Sequence, residues 1–215
     1  MREALRGVAI GLALLLLAGA IASRAGWADG TALRATGTGA WLVARASGFA
    51  AFIALSADVI IGLVVSTRIG GRSLSRGQLI ELHGWLSPLA LALVFGHAFV
   101  LLADGYIGFD ALDLVVQFIA PYRAVAVGIG VLAAYVSLVV HASFGFRRRL
   151  GTKLWRRLHY LSFVGFASGA LHGISAGTDS RARWAIALYA TPLVLAALLI
   201  VRRVQTSLRA ASANG

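Results

Sequence analysis

Six long apolar stretches, separated by short polar segments, dominate the pattern of hydrophobic and polar residues along the chain. A helix needs roughly 20 apolar residues to cross a hydrocarbon layer about 30 Å thick. Each stretch comes near that length, so we predict an all-α integral membrane protein with a six-transmembrane-helix bundle and short loops. The predicted spans cover residues 5–23, 40–66, 79–102, 122–144, 158–175 and 183–203.

The segments between the predicted spans are short, and they favour one transmembrane domain over residues 1–215. We expect no flavin-binding or nicotinamide-binding domain in this chain. Segment 108–120 places apolar residues on one helical face after Asp110, which predicts a short interfacial helix that ends at Pro121. Residues 205–215 are predicted to form a flexible tail.

The first apolar stretch has two interpretations. It follows Arg2 and Arg6 and ends in the small residues "AGAIAS", so it is typical of a cleaved secretory signal as well as of a span. We favour the span. The topology of the remaining chain is the same in either case.

The basic residues are placed unevenly around the spans. Most of the 20 lysines and arginines lie at the N-terminus, in the loops 67–78 and 145–157, and at the C-terminus. The positive-inside rule puts these segments, and both termini, in the cytoplasm. The net charge of +12 is therefore a topology signal beside anionic lipid, and we predict a lipid membrane but no nucleic acid as partner.

The chain has no cysteine, and its one methionine is Met1. Disulfides, iron–sulfur clusters, thiolate zinc sites and covalently attached c-type haem are thereby excluded. An iron ligand inside the spans would have to be histidine or, less favourably, tyrosine.

All five histidines lie in or beside predicted spans, where ionisable side chains are rare and usually functional. His83 and His97 are 14 residues apart in the third span, and His159 and His172 are 13 apart in the fifth. On a helix these separations are about 21 Å and about 20 Å. Because both spans run outward, His83 matches His159 near the cytoplasmic face, and His97 matches His172 near the outer face.

Paired imidazoles at two depths suit b-type haem, a planar apolar group whose iron has two axial positions free for histidine. Zinc would usually recruit a third ligand. A single such histidine is more often an interfacial imidazole bonded to a carbonyl, and only the matched set of four favours haem. Neighbouring glycines such as Gly84 and Gly173 would admit a macrocycle or, equally, another helix. On a straight helix, however, a separation of 13 residues leaves about 140° between two side chains.

The segments around these histidines resemble the ferric reductase-like transmembrane domain family. The family includes ferric reductases, the membrane part of NADPH oxidases and the haem subunit of bacterial methionine-sulfoxide reductase systems. The resemblance covers about residues 38–205. It is carried by "ELHGWLSPLALALVFGHAF" at 81–99, "GVLAAYVSLVVHASFGFRRRLGTKLWRRLHYLSF" at 130–163 and "ALHGISAGTDS" at 170–180.

The resemblance implies two stacked b haems, the inner one held by His83 and His159 and the outer one by His97 and His172. The chain would be the haem electron-transfer subunit of an oxidoreductase in the inner or plasma membrane of a bacterium. Because the flavin and nicotinamide domain of fused relatives is not in this chain, the donor would be a separate flavoprotein or a quinol. The external acceptor would be a ferric chelate, oxygen or an outer redox protein.

Four further polar residues in or beside the spans have open roles. Arg45 needs an anion if it is buried, which an outer-haem propionate would provide, or it extends to the interface. Arg156 precedes His159 and either binds the inner-haem propionates or contacts lipid. Asp58 joins a proton or quinone path or bonds a neighbouring helix. His141 has a hydrogen-bonding role, which we favour, or a quinone or substrate role.

The sequence therefore predicts transmembrane electron transfer through two bis-histidine b haems. Two functions of other classes stay open. One is a haem-free membrane scaffold or assembly subunit, and the other is a histidine-lined proton or metal conduit. The apolar residues between the histidines count against the conduit.

Overall fold

The computed structural model describes residues 38–67, 75–105 and 107–212, and in these residues the secondary structure is helical with no strand. The helices, in chain order, are α1 (Thr38–Thr67), α2 (Arg76–Leu101), α3 (Ala124–Gly145), α4 (Arg147–His159), α5 (Leu161–Ala176) and α6 (Arg183–Ser212).

Four helices of the described residues, α1, α2, α3 and α6, are long and apolar enough to cross a membrane. They coincide with the second, third, fourth and sixth predicted spans, so the prediction of an all-α, multi-pass membrane protein is confirmed. The predicted span 5–23 lies outside the described residues, and α5, with 16 residues, is shorter than a membrane span. The count of six spans and the orientation of the termini are therefore not supported by the structure.

The fifth predicted span, 158–175, begins in α4 and continues through α5. Gly151 interrupts α4 with φ 73° and ψ 160°. Tyr160, between the two helices, has helical φ and ψ of −66° and −18°, and its N–H contacts the carbonyls of both Arg156 and Arg157. A turn tightened in this way rotates the chain further per residue than an α-turn, which removes part of the 140° expected between His159 and His172.

The centre of the bundle is α1, which packs against α2, α5 and α6, while α3 packs mainly on α5. The core between α1, α5 and α6 includes Leu63, Tyr189 and the stacked rings of Phe52 and Phe166, whose centroids are 5.8 Å apart. Large apolar side chains on the outer faces, such as Val125, are exposed, as lipid contact requires. The helix α6 extends to Ser212, into the segment predicted as a tail.

The start of α2 is set by a capping box. The Ser75 hydroxyl accepts a hydrogen bond from the Gln78 N–H, and the Gln78 side chain accepts one from the Ser75 N–H. Such a reciprocal pair satisfies two of the amides that a helix N-terminus leaves without partners. The cap therefore fixes the register of α2 two turns before His83.

The interfacial helix predicted at 108–120 is wrong, because this connector consists of turns. The Asp110 carboxylate accepts hydrogen bonds from the N–H groups two and three residues further on, and the Asp113 carboxylate accepts one from the Asp110 N–H. Phe118 has a left-handed φ of 68°. Side chains that bond their own backbone in this way compete with helix formation despite the apolar periodicity.

We predict that Gly151→Ala destabilises the protein. The backbone at Gly151 lies in a region that is almost restricted to glycine, and another residue there costs about 1–3 kcal/mol. The expected result in detergent is a melting temperature lower by about 2–4 °C per kcal/mol. Gly145→Ala is the matched control, because an added Cβ there meets nothing within 4 Å and φ is not positive. Equal melting temperatures for the two variants would contradict the prediction.

Candidate functional site

Four histidines meet in two pairs inside the bundle. The ring centroids of His83 and His159 are 6.1 Å apart, and those of His97 and His172 are also 6.1 Å apart. The two histidines of α2 thus each face one histidine from the α4–α5 run, in the pairing that the sequence spacing predicts. We refer to these places as the His83 level and the His97 level.

At the His97 level, each imidazole is docked on a neighbouring helix in the same way. His97 Nδ1 lies 2.7 Å from the Ala44 carbonyl of α1, and His172 Nδ1 lies 2.8 Å from the Ala126 carbonyl of α3. One helical turn beyond each carbonyl is a glycine, Gly48 or Gly130. A Cβ on Gly48 would come within 3.1 Å of the His97 ring, and one on Gly130 within 2.6 Å of the His172 ring. Each glycine therefore makes the space that lets the ring reach the carbonyl.

His83 repeats this docking and adds a carboxylate. Its Nδ1 lies 3.1 Å from the Asp58 carbonyl oxygen, and a Cβ on Gly62, four residues on, would come within 3.3 Å of the ring. The same Nδ1 lies 2.7 Å from Oδ1 of the Asp58 side chain. Ser87 donates to the other carboxylate oxygen at 2.8 Å. Asp58, which the sequence left between two roles, therefore bonds the neighbouring helix at a histidine.

The docking positions share one spacing. On α1 the carbonyls that face the histidines belong to residues 44 and 58, and on α2 the docked histidines are residues 83 and 97. The separation is therefore 14 residues on both helices. Fourteen residues are almost four turns, which keeps the positions on one face. Because α1 and α2 pack along their length, the same step on both helices aligns both contacts at once.

His159 is held differently. The residue of α3 that lies 14 positions beyond Gly130 is Phe144, and its ring packs against Trp155 at 6.4 Å between centroids. Trp155 in turn stacks on the His159 imidazole at 5.4 Å and 23°. Within the described residues, the buried Trp155 Nε1 has no hydrogen-bond partner. The indole thus fixes the plane of His159 and presents one spare N–H donor beside the His83 level.

The docking determines which ring nitrogens are available. A carbonyl only accepts hydrogen bonds, so the Nδ1 atoms of His83, His97 and His172 must carry the proton, and each Nε2 has a lone pair for a metal. Residues 38–67, 75–105 and 107–212 contain no cluster of three or more histidine, cysteine, aspartate or glutamate side chains suited to one ion. Two imidazoles per level therefore suit a metal whose other ligands come from elsewhere, as in haem, better than a protein-bound zinc.

A cavity of about 230 Å³ opens at the His97 level. One water needs only roughly 10–15 Å³ by the same kind of measure, so this space exceeds an ordinary packing defect. It is mostly apolar and includes both docking glycines of that level. Its walls include Trp41, Arg45, Gly48, Phe52, His97, Leu101, Phe109, Tyr122, Gly130, His172 and Tyr189.

Arg45 lies in the wall of this cavity and is paired with Asp179 of the connector between α5 and α6. Its guanidinium also lies over the Trp41 ring, 4.4 Å from the centroid. The anion that sequence analysis required for Arg45 is therefore available from the protein. Arg156 is exposed on α4.

Sequence reasoning located the histidines and left the glycines beside them open between a macrocycle and helix packing, but it did not identify the glycines that contact the rings. An added Cβ on Gly84 meets nothing within 4 Å, and one on Gly173 meets Tyr189, which is helix packing. The glycines that contact the rings are on α1 and α3. In the sequence, each of these glycines follows an alanine or an aspartate by four positions. This pattern is too common to indicate a docking position unless the neighbouring helix is known.

A family model described as the ferric reductase like transmembrane component matches residues 47–170. The match includes His83, His97 and His159, and it ends two residues before His172. No significant match was found among curated proteins or among solved structures.

We predict the tautomers of the docked histidines in the haem-free protein. His83, His97 and His172 should each show a protonated Nδ1 and an unprotonated Nε2, because their Nδ1 atoms face carbonyl oxygens. Side-chain ¹⁵N NMR measures this directly, and the chain has only five histidines to assign by single His→Gln variants. His141 is the control, because it belongs to neither histidine pair. An Nε2–H tautomer at any docked position would contradict the docking described above.

Proposed function

The chain belongs to the family of ferric reductase-like transmembrane components, and on that basis we propose that it carries electrons across a membrane through two b-type haems. The observation that carries this proposal is the pairing of four imidazoles at two levels. His83 and His159 would hold one haem iron, and His97 and His172 the other.

The residues at the His97 level fit haem in three respects. Both imidazoles are held at Nδ1, so both Nε2 atoms would be available to hold a haem iron. The adjoining cavity is largely apolar, as a porphyrin requires. Arg45, at the cavity wall, would bind a propionate while it shares its charge with Asp179.

The residues at the His83 level also fit haem. His83 is held at Nδ1, and His159 is fixed by the stacked Trp155. The spare Trp155 Nε1–H is a donor for an acceptor at the haem edge, because a buried N–H without a partner is costly. Arg156, one residue further along α4, would bind a propionate of this haem.

Haem at each level would supply a one-electron ferric/ferrous couple. The protein residues have the remaining tasks: the docked imidazoles stay in place in both oxidation states, and the apolar core around Phe52 and Phe166 excludes water between the levels. Hydrogen bonds to the outer nitrogen of a ligand histidine fix its orientation and raise its basicity.

We further propose a topology of six spans. The helical run of α4 and α5 past Gly151 would form the fifth crossing, and residues 5–23 the first. Basic residues of α4, among them Arg147 and Arg157, support an orientation in which the His83 level would lie on the cytoplasmic side by the positive-inside rule. Both termini would then be cytoplasmic, in the inner or plasma membrane of a bacterium.

The donor would be a separate flavoprotein or a quinol that reaches the His83 level. The acceptor would be a ferric chelate, oxygen or a redox protein that reaches the His97 level. The exposed basic face of α4 suits an acidic donor protein, since complementary charge accelerates encounter.

We predict two b haems per chain in the purified protein. A haemochrome assay counts them, and the dithionite-reduced minus oxidised spectrum gives their ligation. His97→Gln and His172→Gln should each reduce the count to about one, because each removes an axial ligand from the same haem. His141→Gln is the control and should keep both.

The outcomes separate the proposal from its rivals. A count of one in the unaltered protein would contradict the two-haem path. A count of zero, from cells supplied with haem, would contradict the proposal as a whole. It would favour a haem-free scaffold, or a conduit if liposomes then show proton or metal flux that His83→Gln abolishes.

A further inference from the structure

We propose that Asp58 is a positioning residue that orients His83 and lowers the midpoint potential at the His83 level relative to the His97 level. This inference rests on the proposed function, because it concerns the potential of the haem that His83 would bind. It predicts a difference in midpoint potential between the two levels, which the two histidine pairs alone do not predict.

The first observation is the geometry of the carboxylate. Asp58 Oδ1 lies 2.7 Å from His83 Nδ1, closer than the 3.1 Å of the Asp58 carbonyl oxygen. Oδ2 accepts a hydrogen bond from Ser87 at 2.8 Å, and Ser87 Oγ is also 3.0 Å from the His83 carbonyl oxygen. Both carboxylate oxygens of Asp58 thus contact residues of α2, the helix that carries His83.

The second observation is its burial. Asp58 is only 9% exposed, within a helix that is long and apolar enough to span a membrane. A carboxylate in such a place is costly and persists when a specific partner compensates. Its contacts here are Ser87, which donates to Oδ2, and His83, which would hold a haem iron, so the cost is linked to the proposed haem site.

The third observation is the contrast with the other docked histidines. His97 and His172 use the same carbonyl-and-glycine docking, but their Nδ1–H groups donate to carbonyl oxygens and not to a carboxylate. A carbonyl is a neutral acceptor, whereas a carboxylate draws the Nδ1 proton more strongly and makes the imidazole a stronger electron donor. The ferric state carries one more positive charge than the ferrous state, so it gains more from Asp58.

Other charged side chains lie near the two levels, and Asp58 differs from them by its direct contact with a paired histidine. Arg203 donates to Tyr160 Oη beside His159, and because its side chain is only partly buried, solvent screens part of its charge. At the His97 level, Arg45 is paired with Asp179, and the buried Asp104 and Asp113 line the same cavity. Asp58 is the acidic group in direct contact with a paired histidine in the described residues.

A lower potential at the His83 level makes electron transfer toward the His97 level favourable. The transfer is a one-electron exchange in which one iron is oxidised as the other is reduced, and no bond is made or broken. Asp58 would therefore favour one direction of flow. Under the proposed topology that direction is outward from the cytoplasm.

The test is a potentiometric titration of both haems in the intact protein. Asp58→Asn keeps the shape and an acceptor but removes the charge. We expect it to raise the midpoint potential of the His83-level haem by about 59 mV, a tenfold change in the ferrous-to-ferric ratio, and to leave the other haem unchanged. The His97→Gln background, with one haem, assigns the shift to a level.

Two further variants keep the test decisive. Glu81→Gln removes one negative charge two residues from His83, but this side chain is exposed, and we expect no shift. Ser87→Ala frees Asp58 Oδ2 and leaves the carboxylate bound to His83 alone, so we expect a lower potential at the His83 level. It also serves if Asp58→Asn fails to fold.

The results distinguish this inference from the proposed function. Suppose that the unaltered protein contains haem. The role of Asp58 alone would then be overturned if Asp58→Asn shifted the midpoint potentials of both levels equally or shifted neither. It would also be overturned if Glu81→Gln shifted the potential as much as Asp58→Asn does. If Asp58→Asn does not fold, no shift or an upward shift in Ser87→Ala would overturn it. An unaltered protein without haem would overturn both.

Discussion

The arrangement of the bundle depends on one contact, the hydrogen bond from a histidine Nδ1 to a helix carbonyl across a glycine. An imidazole in apolar surroundings must satisfy its N–H, and a helix interior offers only carbonyls that already accept backbone bonds. The glycine one turn further lets the ring approach closely enough to share such a carbonyl. Three of the four paired histidines use this solution.

This contact explains the packing order of the helices. Both histidines of α2 dock on α1, and His172 of α5 docks on α3, which matches the two closest helix pairs of the bundle. On α3, Phe144 stands where a docking glycine would be, and His159 is held by stacking with Trp155 instead. The two levels are thus similar in having one pair of histidines each and different in how those histidines are held.

The sequence predicted the parts of this structure that depend on counting along one helix. The four spans found in the described residues and the pairing of His83 with His159 follow from helix rise and residue spacing. The connector at 108–120 did not follow, because the Asp110 and Asp113 side chains bond their own backbone and override the apolar periodicity. The partners of Asp58 and Arg45 could not be predicted either, since both contacts join segments that are adjacent only after the helices pack.

The equal step of 14 residues on α1 and α2 has a consequence for how such a chain can change over time. Inserting or deleting one residue between the two docking positions of either helix would rotate one contact by about 100° while the other stayed in place. Compensation would require the same length change in both helices. Divergence in this pair should therefore proceed by substitution, and the length of the paired segments should persist while the apolar residues facing lipid drift freely.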